Sequence, residues 1–454
     1  MRVVLVCCVL AGCYNPTAHE GAPCSTNRDC PGDLECNAEN KCVKDAVMND
    51  GGPDIDACPD NACMGDVLVG CNTMVSCENG CGGATPHCLS LAPSNGLIPP
   101  LLLPGATADV TLDKLNFDSS DGSIRMMNVD IREAGTGVKS GIRFEVVNNV
   151  GVWVANTWTL AANNDWSFTG TRPITLFAAK SITIRSLIDV GANPAGAAGP
   201  GGTGRNPSTT TGGCRGRAGR NIDATHGEGG GGGGGGYPAM GAQGANGGSS
   251  NQGGALTGLG GGCASNPSTV PLLGGNGGGD GGNNAGNFGG GGGGAISLVA
   301  MESVTITGTV AAPGGGGGNL TAGNGGGGGG GGGAVFVEAP TVTISGQLTA
   351  NGGGGGAPSG GANGTRGATA SATAAAGGLY SGSGGPARGG AGGAGIVNPT
   401  NGASYNFDDT VNLTNTNRGG GGGGAAGRIE VKRRVGGVSG LASPPANITN
   451  AIFE

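Results

Sequence analysis

The chain has 454 residues, of which 108 are glycine and only 3% are aromatic. Glycine at this level without a strict G-X-Y period excludes collagen and points to low-complexity or repeat architecture. A formal net charge of −7, spread along the chain with no basic stripe, excludes a phosphate-neutralising nucleic-acid binder. The three histidines, His19, His87 and His226, are far apart, so neither a metal nor a cofactor is expected.

In "MRVVLVCCVLAGC", Arg2 precedes an apolar run from Val3 to Leu10 and small residues lead to Cys13. The run is too short to span a bilayer and reads as an export signal over residues 1–12. Leu10-Ala11-Gly12-Cys13 resembles a bacterial lipobox, although a secretory signal with an incidental cysteine is the competing reading. The resemblance implies cleavage before Cys13, acyl chains on its thiol and amine, and a lipidated tether over 13–23. Each buried methylene contributes about 0.8 kcal/mol and a single chain is marginal, so several chains anchor firmly. Tyr14 stands where the inner-membrane retention signal of that family is an aspartate, which implies the bacterial outer membrane.

With Cys7 and Cys8 removed in the signal and Cys13 acylated, twelve cysteines remain. An even number in an exported chain reads as disulfides. Cys24, Cys30, Cys36 and Cys42 form a module over 24–44, and Cys58, Cys63, Cys71, Cys77, Cys81 and Cys88 a second over 58–88. Both are too short and polar to fold around an apolar core, so cross-links must replace one. The spacing lacks a CxxC pair or a suitably placed histidine for zinc, and it leaves the pairing open. A stapled stalk is the expected role, and small modules of this kind also bind proteins.

Residues 89–105 are Pro-rich and read as a linker. From 106 to 172 the segments "ADVTLDKLNF", "IRMMNVDIRE" and "GIRFEVVNNVGVWVANTWTL" alternate apolar and polar residues, which predicts strands that cap the region beyond them. Over 173–435 a unit recurs: "PITLFAAKSITIRSLIDVGAN" from Pro173, "AISLVAMESVTITGTVAAPGG" from Ala295 and "AVFVEAPTVTISGQLTANGG" from Ala334. A fourth copy opens as "GRIEVKRRV" at Gly427 and degenerates before the tail, 436–454. The alignment puts Ile182, Val304 and Val342 in one column, Ile184, Ile306 and Ile344 in a second, and Ile188, Val310 and Leu348 in a third. Thr183, Thr305 and Thr343 alternate with them and point the other way. A unit that cannot bury its own face must stack on its copies. The expected fold is all-β: a parallel β-solenoid with coils about 4.8 Å apart and long Gly-rich insertions, preceded by the disulfide modules.

The insertions run from Gly191 to Gly294, Gly314 to Gly333 and Gly352 to Gly427. Glycine tolerates positive φ and close backbone approach, as returns between coils require. Two outcomes compete: free random-coil loops, or polyproline-II-like segments packed through backbone hydrogen bonds. Order is the expectation, because a Cys214–Cys263 bridge would close about fifty residues and gain roughly 4 kcal/mol only if the loop is ordered when folded.

Lipobox, Cys-rich stalk and strand repeats with polyglycine insertions ending in "GGGGGGAAGRIEV" together resemble bacterial glycine-rich surface lipoproteins. That resemblance implies a lipid-anchored structural or adhesive protein at the cell surface, with membrane, surface polysaccharide or other surface proteins as partners and no catalytic residues. The alternative is a carbohydrate-binding or carbohydrate-active β-helix. Such an enzyme needs clustered carboxylates, whereas Asp189, Glu302 and Glu338 fall in non-equivalent columns. Arg428, Glu430 and Lys432 alternate and read as a solvated strand face. "DSSDG" at 118–122 reads as a turn rather than a calcium loop. Trp153 and Trp158, with Trp166, would stack on sugars if exposed; if buried, they would plug the open end of the stack, the commoner need in repeat proteins.

Overall fold

The computed structural model describes residues 34–36, 41–44, 62–70, 73–193, 196–210, 213–220, 229–249, 258–261, 271–282, 287–318, 325–358, 361–382, 385–409 and 414–454. The signal 1–12, Cys13, the tether 13–23, and Cys24, Cys30, Cys58, Cys71 and Cys263 lie outside the described residues. Strand accounts for 39% of the described residues and helix for 1%, so the fold is all-β.

The core strands are β1 (Leu115–Asp118), β2 (Ile142–Val147), β3 (Val150–Leu160), β4 (Trp166–Thr169), β5 (Ile174–Ile184), β6 (Leu187–Asp189), β7 (Ala295–Ala300), β8 (Ser303–Ile306), β9 (Thr309–Ala311), β10 (Ala334–Ile344), β11 (Gln347–Thr349), β12 (Arg428–Val438), β13 (Leu441–Ser443) and β14 (Asn447–Asn450). They build two sheets. In the first, β3, β5, β7, β10, β12 and β14 pair in parallel, with β8 between β5 and β10. β2 joins β3 as an antiparallel neighbour. In the second, β1, β4, β6, β9, β11 and β13 pair in parallel.

The pairing puts like residue on like. Ile182, Val304 and Val342 are register partners, as are Ile184, Ile306 and Ile344, and Ile188, Val310 and Leu348. All nine are fully buried in one cluster drawn from both sheets. Each contributes about 1.5–3 kcal/mol on burial. Thr183 and Thr305 are half-buried and Thr343 is exposed, as side chains on the opposite strand face should be.

Aromatic residues head these columns. Trp158 pairs with Ile182 and Trp166 with Ile188. Phe117 contacts Trp153, Trp158, Trp166 and Phe168 at ring-centroid separations of 5.5, 6.0, 5.4 and 4.7 Å. Each indole N–H donates to a backbone carbonyl, of Gly122, Phe177 or Leu112, so burial strands no polar group. Beside them Arg132 is fully buried, its guanidinium donating to the carbonyls of Ile142, Gly122, Glu133, Gly135 and Gly137. All five of its donors are used.

Among the described residues the glycine segments pack on one another through backbone hydrogen bonds, the second of the two competing outcomes. Along Gly325–Gly333 the N–H donors visit three neighbours in rotation. Gly326, Gly329 and Gly332 donate to Gly419, Gly422 and Ala425; Gly327, Gly330 and Gly333 to Gly318, Gly315 and Ala312; Gly328 and Gly331 to Gly279 and Asn276. Their carbonyls accept from three further segments, through Gly232 and Gly235, Gly353 and Gly356, and Gly290 and Gly293. A threefold rotation is that of a polyproline-II-type helix, which makes no internal hydrogen bonds and offers every peptide to its neighbours. None of these nine glycines has a left-handed φ. Glycine is required here because a Cβ would collide with backbone: 2.0 Å from Gly233 O at Gly328, 2.1 Å from Gly353 O at Gly329, and 1.9 Å from Gly291 O at Gly330.

This also explains why glycine runs abut strands. Ordering a residue costs about 1–2 kcal/mol and a backbone hydrogen bond returns a net of roughly 1 kcal/mol, so the bundle does not hold itself together. Gly294, Gly333 and Gly427 lead directly into β7, β10 and β12, whose parallel pairing sets the segments side by side.

The outer face of the first sheet carries Val152, Val154, Phe177, Val299 and Phe336, and residues of the Pro-rich stretch (Leu91, Leu97, Leu102) pack over it with Tyr237 and Leu272. Pro99–Leu102 forms one short helical turn there. Ser90 and Ala92 exchange backbone hydrogen bonds with Ile452 and Glu454. In the second Cys module, Cys63 bonds Cys81 and Cys77 bonds Cys88. Cys42 and Cys214 are also disulfide-bonded, and Cys36 and Cys42 are register partners in a two-stranded hairpin.

Candidate functional site

Trp153 and Trp158 have no exposed surface, so the sugar-stacking alternative falls and the favoured reading, burial at the head of the stack, stands. A bulge between Ala155 and Thr157 shifts the alternation of β3 by one residue, so both face inward, and their bulk closes the head of the stack. In "DSSDG" the carboxylates cap their own turn: Ser120 N donates to Asp118 at 2.9 Å and Ser123 N to Asp121 at 2.8 Å. Gly122 closes it at φ +79°. Among the described residues no group of three or more His, Cys, Asp or Glu is placed to hold a metal ion.

Of the repeat carboxylates, Asp189, Glu338 and Glu430 serve the fold, whereas Glu302 is exposed. Asp189 accepts two hydrogen bonds from Arg366, at 2.7 and 2.6 Å. Asp280 is buried between Arg205, at 2.7 Å, and Gly289 N, at 2.8 Å; burial raises its pKa, and both partners oppose the rise. The face of Arg428, Glu430 and Lys432 is not solvated, contrary to expectation. Glu430 is 6% exposed, 3.1 Å from Arg428 and 3.7 Å from Lys432, on the sheet face that Tyr237 and residues 91–102 cover. Glu338 is fully buried on the same face. Its Oε2 accepts from Ser94 N at 2.9 Å and Ser94 Oγ at 3.1 Å, while Oε1 has no partner. Burial raises its pKa against the Ser94 hydrogen bonds and the nearby Lys432. Glu338 is therefore the latch that ties residue 94 to the sheet.

The open, chemically furnished feature lies at the edge of the glycine bundle. Residues 241–247, "GAQGANG", form an extended segment beside Gly229–Gly236. Gly231 and Gly234 donate to the carbonyls of Ala245 and Ala242, and Gly241 and Gly244 donate to Gly261 and Gly258. Glycine falls at every third position, facing the neighbour: a Cβ on Gly241 or Gly244 would lie 2.1 Å from Gly234 O or Gly231 O. The third position of each triplet, Gln243 and Asn246, is exposed. On the other flank Gly402 N donates to Gln243 O, and Gln243 N donates to Asn401 Oδ1 at 2.9 Å.

Between these segments runs a groove of about 570 Å³, floored by residues 239–243 and walled by Leu259, Gly260, Asn398, Pro399 and Asn401. Its lining is uncharged. Gln243, Asn398 and Asn401 supply amides, and Met240, Leu259 and Pro399 supply apolar surface. None of these residues was singled out by the sequence reading. The signal available was the three-residue spacing of glycine in 241–247; the opposite wall is about 155 residues further along the chain and carries no comparable mark.

No family model, curated protein or solved structure matches this chain.

Proposed function

We propose that the chain is an exported lipoprotein, anchored through Cys13 and exposed at the bacterial surface, with a non-enzymatic structural or adhesive role. On this reading the parallel stack is a β-solenoid of coils beginning near 173, 295, 334 and 428, and the Cys modules hold it off the membrane. The observation that carries the proposal is the glycine bundle. A body whose interior is hydrogen-bonded backbone resists deformation and offers only its edges for contact, which suits a spacer or an adhesive surface. The repeat carboxylates Asp189, Glu338 and Glu430 are each taken up in structural pairs, which supports the non-enzymatic assignment.

The test is metabolic labelling with a palmitate analogue in a bacterial host, comparing the chain with Cys13→Ala, together with protease shaving of intact cells. Label lost in the variant and digestion of the Cys modules on whole cells are expected. Equal labelling, or full protection on intact cells, would overturn the proposal.

A further inference from the structure

We propose that the edge groove of the glycine bundle binds a strand of neutral polysaccharide; this deepens the adhesive reading and gives it a site. Three features of the groove select that class of ligand.

The first is chemical. Gln243, Asn398 and Asn401 present amides, each able to donate and to accept, as a sugar hydroxyl does. Met240, 62% exposed, and Leu259, 40% exposed, offer apolar patches to the C–H faces of a pyranose ring. The lining residues hold no charge to pair with a uronate, sulfate or phosphate.

The second is geometric. The floor is an extended segment whose outward side chains, Gln243 and Asn246, recur every three residues, roughly 9 Å apart. That is a linear, repeating row suited to a polymer, and exposed Thr400, Asn401 and Ser404 continue the uncharged surface beside it. The floor is rigid: its backbone is bonded to 258–261 on one side, to 420–423 beneath and to residue 402 on the other. Asn401 is held in place by Gln243 N–H, so its amide is oriented before a ligand arrives.

The third concerns the competing occupant. A further glycine-rich segment, from a second copy, would be the natural addition to such a bundle. At most interior positions neighbouring backbone lies about 2 Å from where a Cβ would stand. The Gln243 and Asn246 side chains occupy that space at this edge. They stop the bundle from growing, as charged residues blunt the edge of a sheet.

The test is equilibrium binding of residues 89–454 fused to the disulfide modules, that is, the chain from residue 24 onward, produced with oxidised cysteines. The probes are soluble neutral polysaccharides (dextran, mannan, galactan, β-glucan), with polygalacturonate and heparin as charged controls. At least one neutral polymer is expected to bind. The Met240→Ala/Asn398→Ala double variant should weaken it by about tenfold or more, as expected for a lost amide hydrogen bond plus apolar contact. Asn398→Asp, an exposed change that places a charge on the wall, should weaken it without altering the thermal transition. Thr343→Ala, on the distant strand face, should leave binding unchanged. Binding to no neutral polymer, preference for the charged controls, indifference to both groove variants, or concentration-dependent dimerisation abolished by groove substitution would each overturn the proposal. Palmitate labelling is independent of all these readouts, so failure of the groove and failure of the anchor are distinguishable.

Discussion

Gly329→Ala is expected to behave opposite to the usual effect of that substitution. Where backbone geometry permits, Gly→Ala stabilises by about 0.4–1 kcal/mol, because the unfolded chain loses freedom. Gly329 has a permissive φ, yet its new methyl would lie 2.1 Å from Gly353 O and 2.6 Å from Gly353 C. Ordinary contact begins near 3.4 Å, so the two backbones must part by roughly 1 Å. The obstacle is backbone and cannot rotate away. Separation on that scale breaks the bond from Gly353 N to Gly330 O, 2.9 Å, and strains that from Gly356 N to Gly327 O, 2.8 Å. Each buried group left unpaired costs about 1–3 kcal/mol. After the unfolded-state gain is set against these losses, the net destabilisation is about 3 kcal/mol. Gly437→Ala is the internal control: a Cβ there meets nothing within 4 Å, the residue is exposed, and its φ is not left-handed. It should be neutral or slightly stabilising. Urea unfolding followed by fluorescence of the three buried tryptophans gives the midpoints, and hydrogen exchange over 325–333 localises the effect. If Gly329→Ala were as stable as Gly437→Ala, with exchange unchanged, close packing would not be the reason for glycine in this bundle.

Arg132→Lys should lower the thermal midpoint markedly, with a loss of about 3–5 kcal/mol, because an ammonium cannot reach five carbonyls and stays buried; a change under about 0.5 kcal/mol would contradict the hub role. Glu338 has its pKa raised in the folded state by burial, so stability is fully present below the usual glutamate range and declines as pH rises through the elevated value. Glu338→Gln keeps an acceptor for Ser94 and should flatten that decline in pH-dependent melts. Asp280, also raised by burial, contributes a slope of the same sign that Glu338→Gln leaves in place. Replacing Cys77 and Cys88 together by serine opens a loop of 11 residues and should cost the second module about 3 kcal/mol, read as faster proteolysis within 62–88 and unchanged tryptophan fluorescence.

The columns of Ile182, Ile184 and Ile188 with their partners were legible because strand side chains alternate with period two and branched aliphatic residues mark the inner face. A parallel stack then sets equivalent residues on one another, so aligning the repeats is the same operation as assigning the register. Glu430 was misread because its own strand alternates like a solvated one; what buries that face comes from Tyr237 and residues 91–102, distant in sequence. Arg132 was hidden for a different reason: its partners lie within ten residues of it, but they are carbonyls and leave no trace in residue identity. Packing of glycine segments as hydrogen-bonded polyproline-II-type strands was one of the two outcomes the composition allowed, but which segments neighbour one another was not legible, since a homopolymer has no face to read. Only at the edge, in "GAQGANG", does a side chain at every third place record which way the segment looks, and there the groove begins.

A nine-residue run of one amino acid has no phase of its own. The alignment of Gly325–Gly333 is imposed from outside, by β10 where the run ends and by the segments it touches. With three residues per turn, inserting or deleting one glycine rotates everything beyond it by about 120°, whereas a change of three restores every facing. Length variation in these runs should therefore be tolerated in steps of three, and the glycine count becomes a dial for the reach of each segment that leaves the neighbours it meets unaltered.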